Sequence, residues 1–351
     1  MTEPKTYLTL QSIALPFLAL AALTAFCYFA SPILIPIIVS ISLAYVLSPF
    51  IFFLKRFRTP HFIAVLLVLL ISVVIVGFLN YLMLDQAISL IQQLPNYWNQ
   101  ILSFLNQIKQ GLIDRGLIPP GQGIDFQNLQ LKDFSFVSKY LARGLSSLFS
   151  IIFGSIFVFF LTLFILIDYP NLKMKVIKAF GKTNEELSGK ILTEINEQIK
   201  GFVIIKFSTT IVLSLIYSIG FILLGLNYAY ILGPLAGFLN LVPYLGPFFG
   251  LIFPVMVAVV QFQSFLPVLW VFIFYEIIQI LESNLVTPKL LENKTDLNPL
   301  AILISSMFWA WLWGAIGIIL AVPITAAIKV VCDHVESLKP IGIILGGKKE
   351  E

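Results

Sequence analysis

Three constellations of polar residues stand where this sequence is otherwise apolar. The first is Glu276, Gln279 and Glu282, followed by Ser283, Asn284 and Pro288, near the end of the apolar run 265–285. A carboxylate among apolar neighbours is costly to keep ionised, so its natural chemistry is to take up a proton, balance a cation or find a polar partner. Helical spacing puts Glu276, Gln279 and Ser283 on one face. A proton- or cation-linked role for Glu276 and Glu282 stands beside a plainer one, in which Glu276 is protonated or hydrogen-bonded between helices and Glu282 reaches out to the membrane interface. Lys206 reads as an interfacial lysine, its stem along apolar surface and its ammonium in water.

The second constellation is Asn240-Leu241-Val242-Pro243-Tyr244-Leu245-Gly246-Pro247, in the middle of the long apolar run 229–260. Its prolines remove amide donors and its glycine permits a sharp turn, which leaves carbonyl oxygens free at that point. The third runs through Asn298-Pro299 to Gly314-x-x-Gly317, which is flanked by Trp309, Trp311 and Trp313, with Pro323 matching Pro254 of the second. For Gly314 and Gly317 close helix packing is the plainer reading. Polar main chain and acids of this kind could bind and pass a small polar solute, Na+ or H+; none of them is equipped to break a bond.

Other chemistries fail on the same residues. An intramembrane protease needs histidine beside a nucleophile or on a metal, and the only histidines, His61 and His334, lie at helix ends. Gly181-Lys182-Thr183 echoes a phosphate-binding loop, but Val176 stands where its first glycine belongs and no strand precedes it. Cys332-x-His334 offers two ligands without a partner cluster, and Cys27 lies at the far end of the chain, so neither a metal site nor a disulfide framework is expected. No enzyme activity and no cofactor are expected.

The elements that must hold these residues are membrane helices. Hydrophobic residues make up 59% of the 351 and charged ones 11%, against about 25% charged in soluble domains. Mean hydropathy is +0.97. Asp, Glu, Lys, Arg and His are absent from 8–54, 62–84, 144–167, 207–275 and 297–328, and a spanning helix needs about 20 apolar residues. The chain is therefore expected to be an all-α, polytopic helical membrane protein with about eight membrane segments, near 8–30, 33–54, 62–84, 147–168, 203–225, 229–260, 265–285 and 299–332. The first is too long for the apolar part of a signal peptide and is retained as a helix. Two of the eight, 229–260 and 299–332, are broken or re-entrant, because a straight helix over 229–260 would run about 48 Å against a hydrocarbon core of about 30 Å. Both hairpins and tilted spans fit the spacing, and charge placement does not separate them.

The expected organisation is membrane helices one to three in 1–84, an external amphipathic helical cap in 85–146, helix four in 147–168, a cytoplasmic amphipathic helix in 169–202, helices five to eight with the transport core in 203–333, and a tail in 334–351. Ile88, Ile91, Leu94, Trp98, Ile101, Leu102, Leu105 and Ile108 form one amphipathic surface of the cap, Gly116 to Gly123 a linker, and Phe136, Val137, Tyr140 and Leu141 a second helix. On the other side Thr183-x-x-Glu186 is a capping box, and Leu187, Ile191, Ile195 and Ile199 make a stripe. Lys55, Arg56 and Arg58, with Lys173, Lys175, Lys178 and Lys182, lead us to expect a cytoplasmic N-terminus, and Lys339, Lys348 and Lys349 a cytoplasmic C-terminus. The modest formal charge of +4 gives no reason to expect nucleic acid as a partner.

Asn240 to Pro247, the Glu282-Ser283-Asn284 block followed by Pro288, the Leu297-Asn298-Pro299 block leading to Gly314, Gly317 and Ala321-Val322-Pro323, and the Asp168-Tyr169-Pro170 exit from the fourth segment occur in that order. In these blocks the chain resembles the autoinducer-2 exporter family, the PerM-like permeases. It departs at Phe202 and Asn298, where relatives commonly carry Gln and His. The resemblance implies an eight-segment, homo-oligomeric protein of the bacterial inner membrane, with members that export autoinducer-2 and others that exchange sodium for protons.

Overall fold

The computed structural model describes residues 10–116, 119, 148–180, 185–243, 245–291 and 296–347. Tyr244, the second cap helix near Phe136 to Leu141, Thr183 of the capping box and most of the 116–123 linker lie outside the described residues. Among those described, every regular element is helical. Six helices are long and apolar enough to cross a bilayer, and Phe17–Phe29, Gly154–Tyr169 and Ala229–Leu239 are shorter apolar ones. Phe52, Val74 and Leu215 on three of the long helices are more than half exposed, a surface that water would not tolerate and lipid covers.

Helices α1 (Leu10–Phe29) and α2 (Ser31–Lys55) meet at a corner at Ala30. Pro32 starts α2, where its missing N–H is an orphan in any case. Helix α3 (His61–Asp114) has 54 residues, about 81 Å of helix, so it crosses the membrane and continues well beyond it. It runs through Pro95 without ending, so the 62–84 segment and the amphipathic surface from Ile88 to Ile108 are one helix. Adding a residue to an existing helix is far easier than starting a new one, and Leu90 and Tyr97 on the extension are buried in the core of the C-terminal half. The same economy fuses span and stripe in α4 (Leu148–Phe180) and α5 (Glu185–Leu223). Ala44, Leu47, Ile51, Ala64, Val65, Leu69 and Leu166 join α2, α3 and α4 into one N-terminal core.

In the C-terminal half each of the two long broken segments reverses direction. Helix α6 (Ala229–Leu239) has 11 residues, about 16 Å, and cannot cross a hydrocarbon core of about 30 Å. After the turn at 240–243, α7 (Leu245–Phe262) returns alongside it, because Gly250 lies against Ala236 and Gly246 against the Leu239 carbonyl. Helix α8 (Phe265–Leu281) then runs to the opposite end of the bundle, where a π-helical turn (Glu282–Val286) and α9 (Thr287–Leu291) follow. Helix α10 (Pro299–His334) is broken at Gly314, with φ 64° and ψ −144°, backbone that a side chain would strain. Its two limbs double back, since Gly317 abuts the Trp309 carbonyl and Lys329 Nζ is 2.8 Å from Asp296 Oδ2; a continuous helix would hold such positions about 45 Å apart. Both long segments are hairpins, and they insert from opposite ends. A 3-10 turn (Glu336–Leu338) and α11 (Lys339–Leu345) close the chain across the base of the second.

Candidate functional site

Helices α5 and α8 lie antiparallel and form the wall on which the first hairpin rests. Tyr217 stacks on Tyr275 with ring centroids 4.7 Å apart, and Phe221 meets Phe274 at 5.9 Å. Helix α6 is seated on α5 by small residues at matching spacing: Gly233 faces Ser218 and Gly237 faces Ser214. This lets the two backbones approach closely without side chains between them. The contact fixes how deep the hairpin tip sits.

At that depth the tip meets a buried polar network. Asn240 is 4% exposed, Gln279 9% and Glu282 5%. The Gln279 amide donates to Asn240 Oδ1 at 3.3 Å and to Glu282 Oε2 at 3.4 Å, while its oxygen accepts from the Tyr217 hydroxyl at 3.2 Å. Thr287 Oγ1 donates to Glu282 Oε1 at 2.5 Å, and Lys206 Nζ stands 3.6 Å from the same oxygen. The Tyr275 hydroxyl donates to the Pro247 carbonyl at 2.8 Å, tying α8 to the start of α7. A buried charge is tolerated when it is paired and hydrogen-bonded, and Glu282 is both.

Glu282 continues the buried stripe of α8, after Val271, Tyr275 and Gln279 at helical spacing, and the π turn begins at it. Ser283 and Asn284 are exposed and bond back to the Ile280 carbonyl, so Ser283 does not share the buried face with Gln279. Lys206, read as an interfacial lysine, is instead 12% exposed and paired with Glu282. It was hidden because one lysine at the edge of a charge-free run looks the same whether it reaches out or in. Tyr217 and Thr287 carried no signal at all. The Ser214-x3-Ser218 and Gly233-x3-Gly237 steps are the small-residue spacing by which the sequence signals this helix contact.

The remaining expected residues divide. Gly246 and Pro247 belong to the tip already described, and Pro243 is half-buried beside it. Glu276 is half-exposed on α8 and has no hydrogen bond or ion pair among the described residues. Pro288 is exposed on α9. Asn298, Pro299, Gly314, Gly317 and Pro323 all lie on the second hairpin. Asn298 caps α10, its Oδ1 accepting from Ala301 N at 2.7 Å, and its side-chain amide donates to the carbonyls of Ile344 at 2.6 Å and Gly346 at 3.1 Å. That is an anchor for the C-terminal strap. The tip of this hairpin is apolar: Trp309, Leu312 and Trp313 pack on Leu34, Ile35 and Ile38 of α2, and Trp313 Nε1 donates to the Cys27 carbonyl at 3.0 Å.

The base of each hairpin is pinned differently. Gln261 donates to the Gly225 carbonyl at 2.6 Å and accepts from Asn227 N at 2.7 Å, which closes the α5–α6 loop onto α7. Nearby, on the α3 extension, burial and then the Tyr228 hydroxyl push the Tyr97 phenol up to about 12. At the opposite end Lys329 bridges Asp296 and Asp333, and with Glu194, His334 and Lys339 it lines a cleft of about 540 Å³.

Multiple membrane helices, hairpins inserted from both ends and an enclosed polar network at one tip define a membrane transport protein. A family model described as AI-2E family transporter matches residues 17–337, and the chain belongs to that family. It is 26% identical to the AI-2 transport protein TqsA of Escherichia coli K12, over 92% of each chain. It is 30% identical to the Escherichia coli K12 protein that carries the name permease PerM, over 87% of this chain and 88% of that one. A Borreliella burgdorferi protein named for transport alone is 28% identical over 90% of this chain and 84% of its own length.

Proposed function

We propose that this chain is a secondary permease that exports a small polar solute such as autoinducer-2 across the bacterial inner membrane, coupled to an ion at Glu282. The observation that carries the reading is the Asn240–Gln279–Glu282 network at the tip of the first hairpin. A helix that reverses inside the bilayer exposes peptide groups that need covering, and here they face amides, hydroxyls and one carboxylate, not apolar side chains. Those groups suit a solute rich in hydroxyls and carbonyls, and the carboxylate suits a proton or a small cation. The resemblance to the transporter of Escherichia coli named for AI-2 supports the solute class. The basic clusters on the short loops favour cytoplasmic termini, with the first hairpin inserted from outside and the second from inside, and the exposed apolar faces suit a homo-oligomer in the bilayer.

The test is flux from proteoliposomes loaded with autoinducer-2, with an entrapped pH dye reporting proton movement. Export that accelerates under an imposed pH gradient, and slows with Glu282→Gln, is the expected result. Loading the same vesicles with Na+ or Li+ alone examines the alternative, a sodium(lithium)/proton antiporter; conductance without any coupling would mark a channel, and no flux of any kind a scaffold.

A further inference from the structure

We infer that Lys206 is the counter-ion of a latch that holds the first hairpin closed, and that protonation of Glu282 opens it; this rests on the reading of Glu282 as the coupling residue. The chain of contacts runs without a gap from the charge to the hairpin. Lys206 on α5 faces Glu282 Oε1 on the π turn, Glu282 Oε2 accepts from the Gln279 amide, and that same amide holds Asn240 at the tip. Both charges are withdrawn from solvent, at 12% and 5% exposure, so each strands the other if it is lost.

The proton inventory is simple. Glu282 gains one proton and becomes a neutral acid, and Lys206 keeps its own and is left as an unpaired ammonium beside the hairpin tip. The neutral acid is a weaker acceptor for the Gln279 amide, which loosens the hold on Asn240. The freed ammonium then has three donors for a hydroxyl- or carbonyl-bearing solute. Among the described residues, the titratable groups around the pair are Tyr217 on α5 and Tyr275 and Glu276 on α8. The tip contributes Asn240 from the end of α6 and the Pro247 carbonyl from α7, and α9 contributes Thr287, with its Lys289 exposed. No second cation competes with Lys206 among them.

The experiment compares four full-length chains: unaltered, Lys206→Gln, Glu282→Gln, and both together. The first readout is thermal unfolding, in which each single change lowers the midpoint by about 5 °C or more and the double change recovers most of the loss. The second is the change with pH in labelling of Leu245→Cys, at the start of α7 on the hairpin tip, by a small thiol reagent in a background where Cys27 and Cys332 are replaced. Labelling of the otherwise unaltered chain rises several-fold on acidification, Lys206→Arg keeps the rise, and the neutral double variant shows none. A double variant as unstable as the two losses summed, or one whose labelling still follows pH, overturns the latch. Neither readout needs a solute, so a latch that behaves as stated beside a flux indifferent to Glu282→Gln would refute the coupled-export reading alone.

Discussion

The two hairpins are built to the same plan and filled with opposite chemistry. The first places amides, hydroxyls and an ion pair at its tip and closes its base with the neutral amide of Gln261. The second seals its tip with Trp309 and Trp313, whose rings lie 4.7 Å apart, and carries its charges at the base, where Lys329 joins Asp296 to Asp333. A tip sealed by indole rings is a plug or a fixed wall. One that meets a carboxylate and three polar side chains has something to bind. On the proposed function, the difference would make the first broken segment the site and the second the scaffold, although both carry glycine and proline at the break.

The largest effect expected from breaking this contrast is at the charged base. Lys329→Met leaves Asp296 and Asp333 facing each other without their shared cation, with a loss of about 3 kcal/mol in unfolding free energy by thermal or denaturant melts. Both acids are about a third exposed, which keeps the cost at the lower end of the range for broken buried pairs. Next comes the polar tip. Glu282→Gln should slow pH-driven export of autoinducer-2 roughly tenfold, equivalent to about 1.4 kcal/mol of barrier. An unchanged rate would remove the site from the first hairpin.

The sequence already carried the hairpins in outline and the site in part. Pro243, Gly246 and Pro247 crowded together, and Gly314 with Gly317, marked the breaks, whereas single prolines such as Pro36, Pro49 and Pro254 sit inside continuous helices. The opposite fates of the two tips were not legible, because what decides them is which distant residues arrive there: Gln279 and Lys206 for one, Cys27 and Ile35 for the other. Glu282 could be read as functional from its apolar setting alone. Its helical spacing from Tyr275 and Gln279 puts it on the buried face as well; what spacing does not show is its partner, Lys206, which arrives from another helix. Asn298 shows the converse case, a polar residue in a motif whose hydrogen bonds are all spent on a cap and on the strap at Ile344 to Gly346.

Trp313→Phe sharpens the contrast at the sealed tip. It removes one hydrogen bond, to the Cys27 carbonyl, and keeps most of the ring packing. The expected loss is about 1 kcal/mol of stability, read as a lower melting midpoint, with export rate and its pH dependence unchanged. A change in coupling without a change in melting would make the second tip part of the pathway.

The smallest effect belongs to Gln261 at the neutral base. Gln261→Ala loses two hydrogen bonds, to Gly225 and Asn227, at a site open enough for water to replace them. The expected cost is therefore about 0.5–1 kcal/mol in the same melts. Its bearing on the comparison is kinetic. If the first hairpin is the one that moves, loosening its base should alter the rate of Leu245→Cys labelling more than Lys329→Met does, although Lys329→Met costs several times more stability. The opposite ranking would mean that the second hairpin moves and the first stays still, and the assignment of site and scaffold would have to be exchanged.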